Sequence, residues 1–503
     1  MFNHPLKTLA VIAASFGFGL ASPASAEEPT VLREGVSLSE KSCGDGFSER
    51  VMDAGLTCYD FTAPEDRGRP NGRAVTMLVG VLPARPGAPD DPVVVLRGGP
   101  GTSWVRGVEA HVDFWRYAVG GRSLILLDPR GYLDSSVKLQ CDEWLPNRAL
   151  ASPGPKEARL DLMLQALDEC YDDLSATGAR LQFYGDKDYA EDLYDLRQAL
   201  GVKEWNIYGH SAGGSSAIAV LGYKDDGVRA IVANAAWTNS VKYTDFPKGA
   251  FSYFKEFLSY FFELCAEDKD CDGRYPDLET RLQKARAVLD ERPFVLPIDE
   301  ANPSEMASIE GDDLIAIING FFFDSRDALE VPWLIDRIAA DDREAMGDVF
   351  RSLIDGAFKT RPSDVRYANG VTVNQVCADA GPAAPSKEVA RRMLLTEPEM
   401  IHWEFGMSVC PWWPVRAEGS MGADPVRSAV PTLLMAGGID GSVPQIFMKN
   451  AAKTMNKSQY IEFPNMAHNV WGACVFTTIA AFLDAPEEAV DKGCVRRRDL
   501  DWR

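Results

Sequence analysis

Positive charge is scarce in this chain of 503 residues, and histidine is scarcer still. The sequence has 5 histidines, and its 52 lysine and arginine residues are outnumbered by 74 aspartates and glutamates, for a formal net charge of −22. A chain this acidic repels nucleic-acid phosphates and anionic lipids, and its only dense basic run is at residues 496–498. Nucleic acid is therefore excluded as an expected partner.

Long apolar runs are missing after the first 26 residues. No later segment approaches the ~18 uninterrupted apolar residues of a membrane-spanning helix, so none is expected in the mature protein. The first 26 residues match a secretory signal peptide, with Lys7 before an apolar run at 9–20 and Ala24-Ser25-Ala26 as the cleavage pattern. A membrane anchor is the alternative, but this run is short for one. The sequence predicts export to the periplasm or the medium, with cleavage after Ala26.

The ten cysteines fit an exported protein, because disulfide bonds persist in oxidising compartments. A zinc site is the alternative, but no pair has CxxC spacing and none lies beside a histidine. Pairing of sequence neighbours is the simplest hypothesis, although the sequence alone does not fix connectivity. The candidate pairs are Cys43 with Cys58, Cys141 with Cys170, Cys265 with Cys271, Cys377 with Cys410, and Cys474 with Cys494.

Strand and helix patterns alternate over the first half of the chain. Helical spacing of three or four residues marks the apolar positions between 159 and 200. Short apolar runs, several of which stop at glycine or proline, lie at 75–82, 93–96, 123–127, 206–208 and 229–235. This alternation predicts an α/β fold whose sheet is mostly parallel and covered by helices on both faces.

The alternation stops after Trp237 and returns with the strand-like run 432–436. We therefore interpret residues 240–428 as a large, mainly helical cap inserted before the last strands. The core would then consist of an N-terminal part, 27–239, and a C-terminal part, 429–503.

A G-x-S-x-G sequence, Gly209-His210-Ser211-Ala212-Gly213, lies between a predicted strand and a predicted helix. Its glycines permit the sharp turn that lifts a serine oxygen clear of a sheet, which predicts Ser211 as a nucleophile. The helix that follows would direct its amides at a developing oxyanion, with Ala212 N–H as one donor.

The second oxyanion donor is expected from the glycine loop 98–101, where missing side chains would let the backbone approach a substrate. Pro100 has no N–H, so Gly99 is the candidate. A simple tight turn is the alternative. No Gly-Lys-Ser/Thr follows the loop, so it is not a phosphate-binding loop, and no cofactor is expected.

A serine nucleophile needs a base to take its proton, and few histidines in this chain can do so. In enzymes with a G-x-S-x-G turn, called the nucleophile elbow, an acid and then a histidine follow the serine along the chain. This order leaves His402 and His468 as candidates. His468 lies in a short loop after the strand-like run 460–463, where a base is expected, whereas His402 lies in the inserted segment. His210 adjoins the nucleophile and is badly placed to act as its base.

Asp440 is the predicted third member, which would orient the imidazole and stabilise its charged form. It follows the strand-like run 432–436 through two glycines, 28 residues before His468. The alternatives are Asp424, which precedes that run, and Asp484, which follows the histidine.

Together these motifs resemble the secreted tripeptidyl and prolyl aminopeptidases, relatives of proline iminopeptidase among the α/β-hydrolases. The resemblance runs from about residue 40 to the C-terminus. It implies an α/β-hydrolase core with a helical cap, and release of one to three residues from peptide N-termini. The elements that carry it are Arg97-Gly98-Gly99-Pro100-Gly101, Asp128-Pro129-Arg130-Gly131, Tyr208 to Gly214, Gly438-Ile439-Asp440, Ala467-His468 and several cysteine contexts.

This chain departs from that family at three positions. Members often carry Gly-Gly-Ser-Tyr-Gly at the elbow and glycine before the histidine, where this chain has His210, Ala212 and Ala467. An esterase, lactonase or amidase with the same three residues therefore remains an alternative, as does a non-catalytic binding protein. The expected partner is a peptide or small-molecule substrate. An aminopeptidase also needs a carboxylate for the substrate ammonium, and the sequence does not choose among the cap acids, Glu404 included.

Overall fold

Buried apolar runs form the centre of a nine-stranded sheet, seen in a computed structural model of the chain. The structure describes residues 32–99, 101, 103–110, 112–141, 152–238, 248–299, 302–354, 368–379, 385–396, 409–417, 419, 424–496 and 499–503. The strands in these residues are β1 (Ser37–Lys41), β2 (Thr57–Pro64), β3 (Ala74–Leu82), β4 (Val93–Leu96), β5 (Leu124–Leu127), β6 (Trp205–His210), β7 (Val228–Asn234), β8 (Phe294–Asp299), β9 (Asn302–Ile309), β10 (Thr432–Gly437) and β11 (Ser458–Phe463).

The large sheet has the strand order β1-β2-β3-β5-β4-β6-β7-β10-β11. From β5 to β11 every neighbouring pair is parallel, and β1 to β3 form an antiparallel edge that also pairs antiparallel with β5. The expected mostly parallel sheet is therefore confirmed. The sequence pattern had not indicated the edge strands β1 and β2.

Helices follow most of the parallel strands. Strands β4, β5, β6 and β10 are buried at every position, as continuous apolar strands are when helices cover both faces of a sheet. The helices in the described residues are α1 (Glu49–Asp53), α2 (Val112–Ala118), α3 (Lys156–Ala176), α4 (Asp186–Ala199), α5 (Ala212–Tyr223), α6 (Lys248–Glu267), α7 (Lys269–Arg274), α8 (Leu278–Glu291), α9 (Asp313–Phe321), α10 (Ser325–Ala328), α11 (Val331–Ala339), α12 (Arg343–Ile354), α13 (Asn369–Asp379), α14 (Lys387–Thr396), α15 (Ile446–Ala451) and α16 (Ala473–Asp484).

The parallel strands bring four predicted site segments to one edge of the sheet. Strand β4 ends before the glycine loop, β6 ends at the residue before Ser211, β10 ends before Asp440, and β11 ends before His468. Because β4 pairs with β6 and β10 pairs with β11, with β7 between the two pairs, all four carboxyl ends meet at the same edge.

The segment between β7 and β10 is mainly helical where it is described, with α6 to α14 in it. It also contains the antiparallel hairpin β8–β9, in which Phe294 pairs with Ile309. The predicted boundaries at 240 and 428 stay a prediction, since residues 239–247 and 420–423 lie outside the described part. The predicted signal peptide, residues 1–26, also lies outside it.

Disulfide bonds join all ten cysteines as pairs of sequence neighbours. Cys43–Cys58 ties the segment after β1 to β2, whereas Cys377–Cys410 ties α13 to a distant part of the inserted segment. Among the residues that the structure covers, we find no helix with the length and hydropathy needed to cross a membrane.

Candidate active site

Ser211 lies on a strained turn between β6 and α5. Its φ of 55° and ψ of −128° are rare for a residue with a side chain, and such strain is held only by surrounding structure. The turn can pack this closely because the residues two before and two after Ser211 are glycines. A Cβ at Gly209 would lie 2.3 Å from the Gly213 carbonyl oxygen, and a Cβ at Gly213 would lie 2.2 Å from the Leu96 oxygen.

A chain of two hydrogen bonds joins the three predicted side chains. His468 Nε2 lies 2.8 Å from Ser211 Oγ, and His468 Nδ1 lies 3.0 Å from Asp440 Oδ2. Asp440 and His468 are buried, with 0% and 2% of their surfaces exposed. Because a carboxylate only accepts, Nδ1 carries the proton of that bond when Asp440 is ionised, which leaves Nε2 free to accept from the serine hydroxyl.

Asp440 is held in place by its own turn and by the histidine loop. Its Oδ1 accepts the Val443 N–H at 2.8 Å. Burial raises the pKa of the Asp440 carboxyl, whereas His468 and the amides of its turn lower it. Gly437 permits this arrangement, because a Cβ there would lie 2.2 Å from the Met466 oxygen in the histidine loop.

The glycine loop after β4 passes directly against Ser211. A Cβ at Gly98 would lie 2.6 Å from Ser211 Cβ, and Gly99 has a φ of +73° that favours glycine. Ala212 begins α5, where backbone N–H groups have no partner within the helix. At the far end of the loop, the Ala368 N–H donates to the Gly101 oxygen at 2.9 Å, so the loop touches the segment that leads into α13.

Asp128 supports the segment that follows the glycine loop. Its carboxylate accepts the Ser103 hydroxyl at 2.5 Å and the backbone N–H groups of Trp104 and Val105 at 2.5 and 3.0 Å. Burial raises the pKa of Asp128 to about 7, against the opposing effect of the Ser103 and Val105 hydrogen bonds. In the sequence, Asp128 was recognised only as part of the motif Asp128-Pro129-Arg130-Gly131, and no role was predicted for it.

The inserted segment contacts the histidine loop through its backbone. The His468 N–H donates to the Phe322 oxygen at 3.0 Å, and the Asn469 N–H donates to the Phe323 oxygen at 2.9 Å. The Phe323 ring also meets the His468 ring edge to face, with centroids 5.1 Å apart. Sequence reasoning missed this contact, and its only visible signal was the run of three phenylalanines ending at 323.

The rival candidates lie elsewhere. Asp424 is exposed before β10, and the side chain of Asp484 is 63% exposed and paired with Arg122 at 2.9 Å. His210 is buried and touches the backbone of His468 rather than Ser211. Pro100, His402 and Glu404 lie outside the described residues.

The sheet, the elbow and the order of the site residues define a class of protein. The family described as alpha/beta hydrolase fold matches residues 91–471, and the chain belongs to this family of hydrolases. A comparison with curated proteins finds no match.

Several solved structures are similar to this chain. A proline iminopeptidase from Mycobacterium smegmatis is 14% identical, covering 85% of this chain and 98% of that one, with a TM-score of 0.34. An esterase from Exiguobacterium antarcticum is 12% identical (82% and 95% covered, TM-score 0.34). An enol-lactonase from Burkholderia xenovorans LB400 is 12% identical (81% and 94% covered, TM-score 0.31).

Proposed function

We propose that this hydrolase is an exported serine aminopeptidase that releases one to three residues from peptide N-termini. The observation that carries the serine chemistry is the pair of hydrogen bonds that links Asp440, His468 and Ser211 at 3.0 and 2.8 Å. Export is supported by the leader pattern of residues 1–26 and by the five disulfide bonds.

In the proposed reaction, Ser211 Oγ attacks the scissile carbonyl carbon while His468 Nε2 takes the serine proton. Asp440 keeps the imidazole oriented and stabilises its positive charge. The oxyanion that forms is bound by the backbone N–H groups of Ala212 and Gly99, each worth about 10²- to 10³-fold in rate. His468 then gives its proton to the departing amine, which leaves an acyl-enzyme.

Water completes the cycle. His468 Nε2 removes a proton from water as its oxygen attacks the acyl carbon, and the same proton returns to Ser211 Oγ when the ester bond breaks. The carboxylic acid product then leaves, and the serine hydroxyl and neutral imidazole are restored.

We propose that the inserted segment, residues 240–428, caps the site. This is supported by the backbone hydrogen bonds from His468 and Asn469 to Phe322 and Phe323.

The aminopeptidase assignment is supported by the motifs shared with the secreted tripeptidyl and prolyl aminopeptidases. Among them, the glycine loop lies against Ser211 and Asp128 braces the segment behind that loop. A second candidate is an esterase, lactonase or amidase for a small molecule. It is favoured by the sequence of the site loops, because His210, Ala212 and Ala467 stand where the aminopeptidases commonly carry other residues.

The test compares the disulfide-bonded mature protein with Ser211→Ala and Asp440→Asn. Substrates are Pro-, Ala- and tripeptide anilides, their N-blocked forms, and short acyl esters. We expect the unblocked amides to be cleaved and the blocked ones to be spared. Ser211→Ala should be inactive, and Asp440→Asn should lose about 10⁴-fold in kcat because its histidine adopts the wrong tautomer. Asp424→Asn, at an exposed carboxylate, is the matched control and should behave as wild type.

Other outcomes separate the candidates. Turnover of esters alone, or equal turnover of blocked and unblocked amides, would replace the aminopeptidase with the small-molecule hydrolase. An active Ser211→Ala variant would overturn the serine mechanism itself.

A further inference from the structure

His210, the last residue of β6, is buried between the nucleophile and the histidine loop. Its Nε2 lies 3.1 Å from the main-chain oxygen of His468. Its ring lies 5.2 Å from the His468 ring and 5.0 Å from the Trp471 ring, measured between centroids. Only 8% of its surface is exposed, so it is held on several sides.

The hydrogen bond determines which ring nitrogen carries the proton. A carbonyl oxygen only accepts, so His210 Nε2 must be the donor. Burial, together with the neighbouring charges of His468 and Arg97, lowers the pKa of His210 to about 3, against the opposing effect of the bond to the His468 oxygen. His210 is therefore neutral at the pH values at which a histidine base works. It adds no charge that would oppose a positive imidazole at position 468.

The histidine loop is held from two directions. From the inserted segment, Phe322 and Ser325 accept the N–H groups of His468 and Ala467 at 3.0 and 2.9 Å. From the core, His210 donates to the carbonyl of the same His468. His210 directly precedes Ser211. This bond therefore joins the turn that carries Ser211 to the backbone of His468, whose ring must face the serine hydroxyl.

We propose that His210 is a positioning residue, whose Nε2–H bond to the His468 carbonyl sets the separation of Ser211 Oγ and His468 Nε2. Its hydrogen bond goes to the main-chain oxygen of His468, so it acts through the backbone of that residue. The inference rests on the proposed serine mechanism. A displacement of about 1 Å at reacting groups can cost about 10²-fold in rate, so the loss of one such bond is measurable.

The test separates the hydrogen bond from the packing of the ring. His210→Phe keeps an aromatic ring against His468 and Trp471 but has no donor, whereas His210→Gln keeps a neutral N–H donor. Each variant is titrated with a fluorophosphonate, so that rates refer to competent sites only. We expect His210→Phe to lose about 10- to 100-fold in kcat with KM changed less than about twofold, the pattern of an interaction needed in the transition state. His210→Gln should recover most of that rate.

Two results would overturn the proposal. His210→Phe could keep a kcat per titrated site within about twofold of wild type, or His210→Gln could be as impaired as His210→Phe. Either would reduce His210 to a packing role. If His210→Phe does not fold, His210→Leu gives the same comparison with a smaller side chain. Failure of the serine mechanism is distinguishable, because wild-type protein would then take up no fluorophosphonate at Ser211.

Discussion

At the scale of single residues, Asp128 combines full burial with hydrogen bonds that a carboxylate prefers. It is 0% exposed, and both of its oxygens accept bonds from residues 103–105. Burial nevertheless outweighs those bonds and raises the pKa of Asp128 to about 7. The folded state therefore binds the Asp128 proton more tightly than the unfolded state does.

This difference makes Asp128 a source of pH-dependent stability. A carboxyl with a raised folded pKa contributes stability that is complete below pH ~4 and is lost as the pH rises through about 7. We expect the free energy of unfolding of wild type, relative to Asp128→Asn, to fall by a few kcal/mol between pH 4 and pH 8. Asparagine keeps an oxygen for Trp104 and Val105, and the Ser103 hydroxyl can accept from its amide. Urea unfolding of both proteins at several pH values measures the difference, and parallel pH curves would contradict it.

At the scale of elements, the loops of the site could be predicted because they carry rare residue types in fixed contexts. Ser211 lies in a G-x-S-x-G sequence, and the chain offers only two histidines after it. The edge strands were harder to predict. In β2, Tyr59-Asp60-Phe61-Thr62 mixes polar and apolar residues, and its pairing depends on β3, which follows it later in the chain.

Backbone contacts could not be predicted at all. The bonds from His468 and Asn469 to Phe322 and Phe323 join main-chain groups, which leave no signature in side-chain identity. The bond from His210 to the His468 oxygen is similar, because a sequence does not show which way a side chain turns. These contacts link elements that lie far apart in the chain, so only the fold reveals them.

The disulfide between Cys377 and Cys410 offers a test of how α13 supports the glycine loop. The helix begins directly after Ala368, which bonds Gly101, and the bridge closes a loop with a sequence separation of 33. Replacing both cysteines with serine should lower the free energy of unfolding by about 3 to 4 kcal/mol. We expect kcat to fall severalfold as well, because α13 would hold the loop less firmly.

Cys43–Cys58 provides the matched control. It ties the segment after β1 to β2 and does not involve α13, and it closes a loop with a separation of 15, so its removal should cost a similar free energy, about 3 kcal/mol. Its kcat at a temperature where the protein stays folded should remain near wild type. Equal loss of kcat in the two double variants would show that the glycine loop depends on global stability rather than on α13.

At the scale of the whole molecule, the dominant feature is negative charge. The chain carries a formal charge of −22, so its field attracts cations over distances of about one Debye length, ~10 Å at 0.1 M salt. A peptide anilide with a free N-terminal ammonium and no other charge is such a cation, whereas a neutral ester is not. The proposed aminopeptidase activity should therefore respond to salt in a way that ester hydrolysis does not.

We expect kcat/KM for an unblocked, positively charged peptide anilide to fall severalfold between about 0.02 and 0.5 M salt, because screening slows the encounter. The same enzyme hydrolysing a neutral short-chain ester is the control, and its kcat/KM should change little. Stopped-time assays at constant pH measure both. An equal fall for both substrates would mean that salt acts on the folded enzyme itself. No fall for the charged substrate would mean that the acidic surface does not guide peptides to Ser211.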